Sequence, residues 1–413
     1  MVGATEIRGV RSDEERESVR ALLKSEFEVS PGVGAAFSGL YDNLLEFDPA
    51  VRLDYSRIAL QSGNVVGHAL LALRHIRIGG GDCPAGLVGL VVVHPEYRGQ
   101  GIGSSLIEDI HTLAADLKLG FLVLAGDPAY YRRFGYHQTY VNTTCQVTIG
   151  PHPPGNPLRP AVASDVERLT TLSALTVPDG SVTPSIDRWS WLLKTGHPES
   201  LLCTNPAILG HSVDTGVTLI EPGGSGYARL VHGSGRAIVY EAGVSEGSAG
   251  KFLDGLRMSC HERDVSELTL RLPNSNPLVH VSGGEATSSE DREFQFRIVH
   301  LDAMLSTARD GMEERIRRVI PEWRGAVLIR MEQGSILLDR QTGSLRIGRE
   351  SEQLELEMLT RLDMPEWGVG RMLLGQDDVV RASNRSGDND VLIRVMRAIC
   401  GDERPVFMLS DAI

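Results

Sequence analysis

The chain has 413 residues, 41% of them hydrophobic and 23% charged, with a formal net charge of −13. That length exceeds one ordinary core and predicts a soluble globular protein of about two or three domains. Its acidic balance argues against a general nucleic-acid binder, which needs a basic face, and suits a cationic substrate.

No apolar run is long enough to span a bilayer, so no membrane partner is expected, and the N-terminal "MVGATEIRGVRSDEERE" has no apolar signal core. The five cysteines (Cys83, Cys145, Cys203, Cys260, Cys400) are scattered and never in C-x-x-C spacing. They predict reduced thiols in a cytoplasm, with no disulfide framework and no metal site.

In chain order, Ser12 and Glu15 form a capping box for a helix through "EERESVRALLKSEF". A second helix is predicted over "AAFSGLYDNLLEF". Strands "SRIALQ" and "VVGHALLALRHIRI" flank the turn Ser62-Gly63-Asn64, a hairpin signal. Strand "GLVGLVVV" follows the Gly79-Gly80-Gly81 turn, then a Gly-rich loop opens a helix that runs to about Lys118. Strand "FLVLAG" and the segment "DPAYYRRFGYHQ" come next. Prolines and glycines cluster in "TIGPHPPGNPLRP", as at a domain boundary. The middle segment then repeats the order of the first. Helices "ASDVERLTTLSAL" and "IDRWSWLLKTG" precede strands "GYARLVHG" and "GRAIVYEAGV", then helix "GKFLDGLRMSCHERD" and strand "LTLRLP". From near Arg297 a third segment has helix "MEERIRRVI", strands "GAVLIRM", "GSILLDR" and "GSLRIG", and helices around "PEWGVGRMLLG" and "VLIRVMRAI".

The stretch "VVVHPEYRGQGIGSSLIEDI" carries the chemistry. A Gly-rich turn feeding a helix offers unpaired N–H groups at the positive end of the helix dipole, and phosphates suit such a site. Glycine removes the Cβ that would keep a phosphate off the backbone. Arg98 adds charge beside it. The same glycines could equally serve a tight strand-to-helix connection, and a short Gly pattern alone does not decide.

The run from Arg98 to Gly103 reads Arg-x-x-Gly-x-Gly after an apolar strand. It is neither the P-loop pattern nor the dinucleotide fingerprint, and it resembles the pyrophosphate loop of GNAT acetyltransferases. "DPAYYRRFGYHQ" resembles the Tyr-x-Arg-Phe-Gly-Tyr/Phe segment of one branch of that family, and the order and lengths of the three segments resemble its Eis (enhanced intracellular survival) members. The resemblance implies an α/β (α+β) fold of two tandem GNAT-like mixed-sheet domains plus a C-terminal SCP2-like, or sterol-carrier-like, α+β domain. The expected boundaries are 1–150 for a catalytic domain, 151–296 for a degenerate GNAT-like domain and 297–413 for the sterol-carrier-like domain.

It further implies an acetyl-CoA-dependent N-acetyltransferase acting on a primary amine in a ternary complex, with aminoglycoside, polyamine-like or lysine acceptors and a homo-oligomer, often a hexamer. Acetyl-CoA is a co-substrate and no metal takes part. The backbone of Val91, Val92 and Val93 would hold the pantetheine arm and polarise the thioester carbonyl. Arg98, Gly99, Gln100, Gly101, Ile102, Gly103 and Ser104 would take the pyrophosphate. Gly126 and Asp127 match cofactor-lining positions, although Asp127 could equally begin a turn before Pro128.

Transfer to an amine needs a base and an acid. "GLVGLVVV" has no carboxylate, so the base comes from elsewhere. The family solution is the main-chain carboxylate of Ile413, against an ordinary frayed terminus, with Asp411, His94 and His137 as weaker substitutes. Tyr131 matches the family acid, and its phenol has a pKa near that of a thiol. Tyr130 is adjacent, but spacing to Phe134-Gly135 favours Tyr131; Arg133, Phe134 and Tyr136 read as packing and support. In the middle segment "SEGSAG" lacks the loop pattern, and Glu246 would repel a pyrophosphate. Trp323 and Trp367 fit either a lipid tunnel or ordinary core. The rival function is a non-catalytic coenzyme A- or lipid-binding protein centred on the third domain.

Overall fold

The structure, a computed structural model, describes residues 5–29, 31–138, 141–195, 216–233, 235–273, 275–284, 286–290, 294–332, 334–350, 359–374 and 395. The expected helix "VLIRVMRAI" and the terminal "RPVFMLSDAI", with Asp411 and Ile413, lie outside the described residues save for Val395.

Among the described residues, three mixed sheets organise the chain. In spatial order the first contains β1 (Glu6–Gly9), β2 (Ser56–Gln61), β3 (Asn64–Ile78), β4 (Gly81–Val93), β5 (Phe121–Ala125), β14 (Phe294–Ile298) and β6 (His137–Gln138). The second contains β8 (Arg159–Pro160), β9 (Val217–Ile220), β10 (Gly226–Gly233), β11 (Arg236–Val244), β12 (Glu267–Arg271), β7 (Val141–Thr148) and β13 (Ala286–Glu290). The two match position by position. β4 and β5 run parallel around helix α3 (Ile102–Asp116), and β11 and β12 do so around helix α7 (Ala249–His261), while the other neighbours are antiparallel. A parallel pair requires such a crossover.

The sixth position of each sheet is exchanged. β7 precedes the second sheet in the chain yet pairs with β12 and β13, whereas β14 follows it and pairs with β5 and β6. The expected boundary after 150 therefore follows a strand of the second sheet, and the one at 296/297 cuts through β14. Proline and glycine clusters mark where an element stops; they carry no information about which sheet it joins.

β3 is apolar along most of its length because both faces are covered. Helix α1 (Asp13–Glu26) buries Val19, Leu22 and Leu23 at helical spacing, and helix α2 (Val33–Phe47) buries Leu40, Tyr41 and Leu44 in the same cluster as Leu70 and Ala72. Ile102, Leu106, Ile107 and Ile110 of α3 cover the opposite face, with Ala69, Leu71 and Val88. Ser12 caps α1 as expected, accepting the Glu15 N–H, while the Glu15 carboxylate takes the Arg11 N–H and Arg8.

Residues 180–183, ahead of helix α6 (Ile186–Thr195), lie along the end of β3 through Arg77 N–H to Ser181 O (2.9 Å) and Thr183 N–H to His75 O (2.7 Å). The third sheet has the order β17 (Arg346–Glu350), β16 (Gly334–Asp339), β15 (Ala326–Met331), β18 (Leu359–Asp363). Helix α9 (Leu301–Val319) joins it to the first sheet; a Cβ on Gly311 would overlap the Gly79 backbone. Helix α10 (Glu366–Leu373) seats Gly370 on Phe296 of β14. Among the described residues no helix is long and apolar enough to cross a membrane.

Candidate functional site

The site begins where two parallel strands part. β4 and β5 pair from Ala85↔Phe121 to Val88↔Leu124, and no further. Beyond that point β4 carries a bulge. Its partner β3 pairs His68 with Val92 and Leu70 with Gly89, so Ala69 faces both Leu90 and Val91, and Leu90 takes φ +50°. A bulge bends its strand and raises the local twist. On the far side of it the His94 N–H bonds Val66 O. Antiparallel alternation then turns Val92 toward β3 and leaves the main-chain groups of Val91 and Val93 on the free edge.

The chain next makes a short turn at Pro95–Tyr97 and enters α3 through Gly99 (φ +76°) and Gly101 (φ +84°), both left-handed. Among the described residues no N–H from Gly99 to Ser104 has an intramolecular acceptor. Successive free N–H groups at a helix N-terminus form an anion cradle. Val91, Val92, Val93, Arg98, Gly99, Gly101, Ile102, Gly103, Ser104 and Tyr131 all line one cleft of about 590 Å³. The structure thus brings together most residues singled out from the sequence. Gln100 points its amide back to Glu96 O.

Among the described residues two arginines border the cleft, Arg98, which the sequence singled out, and Arg133. Arg98 donates from Nη2 to Glu26 of α1 (2.5 Å) and from Nε to Val93 O (2.9 Å), so a carboxylate already answers its charge. Arg133, read as packing, reaches Ser104 Oγ (3.2 Å) and lies over the Tyr130 ring at 4.3 Å. Among the described residues it has no carboxylate partner, so its charge is available to a phosphate. Tyr130 also belongs to the site: a Cβ on Gly103 would lie 2.7 Å from its hydroxyl.

Tyr131 sits edge-on to Tyr130 (4.9 Å) and Tyr136 (5.9 Å). Gly126 lies against its ring, where any Cβ would overlap it. Burial, and after it the neighbouring Tyr130, pushes the Tyr131 phenol up to about 12. Among the described residues nothing hydrogen-bonds its hydroxyl, which keeps its proton at any physiological pH. Asp127 accepts the Ala129 N–H (2.9 Å) and caps the short helix α4 (Pro128–Tyr131); it is the turn-former before Pro128 and does not line the cleft.

What fixes this segment comes from far along the chain. Gln295 of β14 donates to Gly126 O (3.0 Å), and Arg297 donates to Phe134 O (2.9 Å). Neither residue carried a sequence signal, because both contacts depend on the strand exchange. His137 stacks on Trp367 of α10 (4.8 Å, 15°), and neither it nor His94 lines the cleft. Cys83 is buried toward the opposite end of β4, where burial pushes its thiol up to about 11. Among the described residues no cluster of His, Cys, Asp and Glu could hold a metal.

Behind the bulge lies a fully buried polar chain. Tyr41 Oη meets Ser56 Oγ (2.8 Å), Ser56 Oγ meets His68 Nε2 (2.9 Å), and His68 Nδ1 meets Leu90 O (2.9 Å). Burial lowers the His68 pKa to about 4, and the bond to Leu90 O opposes this only in part. His111, lowered to about 4 by burial and then by Arg297, behaves alike. Between about pH 6.5 and 4 the unfolded chain binds protons that these folded histidines refuse, so stability rises with pH there. For His68 the linkage is worth about 3 kcal/mol. Urea unfolding at pH 7 and pH 4.5 checks this; equal stabilities at the two values would mean that neither histidine is neutral and buried.

The second sheet has the same parting, but it is filled. β11 and β12 pair only as far as Val239↔Leu270. Counting on from there, Ala242 corresponds to Val91. Its carbonyl takes hydrogen bonds from Asn276 Nδ2 (2.9 Å) and Thr176 Oγ1 (3.2 Å). Asn276 caps helix α8 (Pro277–Val281) just as Asp127 caps α4, but its amide also reaches across the gap.

Residues 6–139 match the acetyltransferase (GNAT) domain family. No curated protein matches the sequence. Among solved structures, a GCN5-related N-acetyltransferase from Kribbella flavida shares 15% identity at a TM-score of 0.69, covering 98% of each chain. One from Anabaena variabilis also shares 15% identity at 0.69, covering 98% of this chain and 99% of its own. Eis1 from Mycobacterium abscessus shares 17% identity at 0.65, again covering 98% and 99%. At such identities the likeness is one of fold, and it extends over the whole chain. Residues 6–139 are therefore similar to an acetyltransferase (GNAT) domain, and the whole mixed α/β chain shares its fold with these solved structures.

Proposed function

We propose that the chain is an acetyl-CoA-dependent N-acetyltransferase using direct transfer to a primary amine. One observation carries this reading: the free edge at Val91 to Val93, the unpaired N–H groups of 99–104 and the Tyr131 phenol open onto a single cleft. The cradle with Arg133 takes the diphosphate of acetyl-CoA, and the free edge aligns the pantetheine arm as an added strand would. The amine nitrogen attacks the thioester carbon while the Val91 N–H receives the developing oxyanion. As the C–N bond forms and the C–S bond breaks, a base takes the proton from nitrogen and Tyr131 supplies one to sulfur. An amide and free coenzyme A result.

A phenol near 12 is a weaker acid than the sequence reading assumed. Full transfer to a solvated thiolate runs uphill, so Tyr131 acts first as a hydrogen-bond donor to sulfur and releases its proton as charge accumulates there. The base is assigned to the Ile413 carboxylate by the resemblance alone. The middle unit acts as a degenerate GNAT-like wall of the acceptor pocket: Asn276 occupies the parting that a pantetheine arm would need. The third unit, sterol-carrier-like by the same resemblance, delivers the chain end to the site; Trp367 stacks on His137 of the first sheet. The assembly is a cytoplasmic homo-oligomer, a hexamer by resemblance, and the acidic net charge suits a cationic acceptor.

Thiol release from acetyl-CoA with a panel of amines, with products weighed by mass spectrometry, tests the function. Tight binding of acetyl-CoA without turnover on any amine would favour a coenzyme A sensor instead. Residues appended after Ile413 are expected to lower kcat at least about tenfold with coenzyme A affinity unchanged. Full activity of the extended chain would put the base elsewhere.

A further inference from the structure

We propose that His68 is a positioning residue for acetyl transfer: by holding the Leu90 carbonyl it aims and polarises the Val91 N–H that meets the thioester oxygen. The inference rests on the acetyltransferase reading and adds a buried device that serves it.

The covalent geometry is the starting point. Leu90 C=O and Val91 N–H belong to one peptide unit, and in a trans peptide the two bonds point in opposite directions. A group that fixes the carbonyl from inside the sheet therefore fixes the N–H on the other side. His68 is such a group. Its Nδ1 lies 2.9 Å from Leu90 O, and its side chain is wholly buried. Leu90 needs holding: it is a non-glycine residue at φ +50°, a conformation that costs on the order of 1–2 kcal/mol.

The proton order along the chain follows from chemistry alone. A carbonyl only accepts, so Nδ1 carries the proton and Nε2 of the neutral ring is an acceptor. Ser56 then donates to Nε2, and Tyr41 donates to Ser56. All the dipoles point one way, from the Tyr41 hydroxyl to the Leu90–Val91 peptide. Aligned hydrogen bonds in a low-dielectric interior polarise one another. The end of this series is the Val91 N–H, which faces the cleft. Tyr41, Ser56, His68 and Leu90 sit on α2, β2, β3 and β4, so four elements meet at this one peptide. None of these four residues lines the cleft that holds the cradle at 99–104, so affinity for the carrier and alignment of its carbonyl are separable.

The test compares His68→Leu, His68→Asn and Tyr41→Phe with the parent chain. Coenzyme A, which has no acetyl carbonyl, is titrated by calorimetry, and kcat is measured with saturating acetyl-CoA and an amine that the parent acetylates. His68→Leu, which cannot donate, is expected to lower kcat about ten- to hundredfold while the coenzyme A Kd moves less than about twofold. His68→Asn keeps an N–H near the Nδ1 position and recovers most of the loss. Tyr41→Phe, removing only the far end, lowers kcat by about threefold.

Unchanged kcat in His68→Leu, or equal losses in His68→Leu and His68→Asn, would overturn the proposal. If His68→Leu does not fold, kcat in His68→Asn and Tyr41→Phe decides. Parental activity in Tyr41→Phe together with a loss of about tenfold or more in His68→Asn overturns it, and losses of a few-fold in both support it. A parent chain that fails to bind coenzyme A would instead remove the acetyltransferase reading itself.

Discussion

Replacing Tyr131 by Phe is expected to lower kcat for amine acetylation about a hundredfold or more, with acetyl-CoA affinity nearly unchanged. The substitution removes one oxygen and keeps the ring, so the edge-on contacts with Tyr130 and Tyr136 and the close seat of Gly126 all survive. No intramolecular hydrogen bond is lost among the described residues. Thermal stability should therefore match the parent chain, which separates a chemical role from a structural one.

The pH profile gives a second readout. With its phenol near 12, Tyr131 imposes no alkaline decline on kcat below about pH 10. An alkaline limb below that value which disappears in Tyr131→Phe would keep Tyr131 as the donor but mean that its phenol ionises in the working range, against the rise that burial imposes. Equal kcat in the two proteins would remove Tyr131 from the mechanism altogether.

The sequence made the local parts of this site legible and hid the long-range ones, for a physical reason. Gly99, Gly101 and the free N–H groups that follow arise within a few residues, from left-handed turns and a helix N-terminus, so spacing alone exposes them. Tyr131 was legible through its distance to Phe134 and Gly135. Hairpins and helices read well because their periodicities are local. The bulge at Leu90 was invisible, since a run of valines looks the same with or without an extra residue opposite Ala69. The partner of Arg98 is Glu26, seventy-two positions away, so the sequence could not show that this guanidinium is already engaged. Gln295 and Arg297 could not be assigned either. Their importance depends on an exchange of strands between two sheets whose individual elements look alike. Asn276 reaches across the second parting to Ala242 O, a contact that neither the missing loop pattern of "SEGSAG" nor Glu246 could reveal.

Substituting Gly101 by Val is expected to abolish measurable binding of coenzyme A, raising the Kd about a thousandfold or more. Gly101 holds φ +84° with nothing within 4 Å of an added Cβ, so space is not the obstacle. The obstacle is conformational: a β-branched residue there is a genuine outlier, costing on the order of 1–3 kcal/mol. A loop that relaxes to escape this strain turns its N–H groups away from a common centre. Each charge-assisted hydrogen bond then lost to the diphosphate is worth about 1.5–3 kcal/mol. Two such bonds already account for the thousandfold change. The helix that follows is anchored by Ile102, Leu106, Ile107 and Ile110 in the core, so the fold should persist, which circular dichroism and the melting temperature can verify. Arg133→Gln removes one charge and leaves the cradle intact, so it should weaken binding about ten- to hundredfold, and more than Arg98→Gln, whose guanidinium is already engaged by Glu26. Parental affinity in Gly101→Val would mean that the diphosphate binds elsewhere, and the cleft beneath Tyr131 would lose its claim to the acetyl carrier.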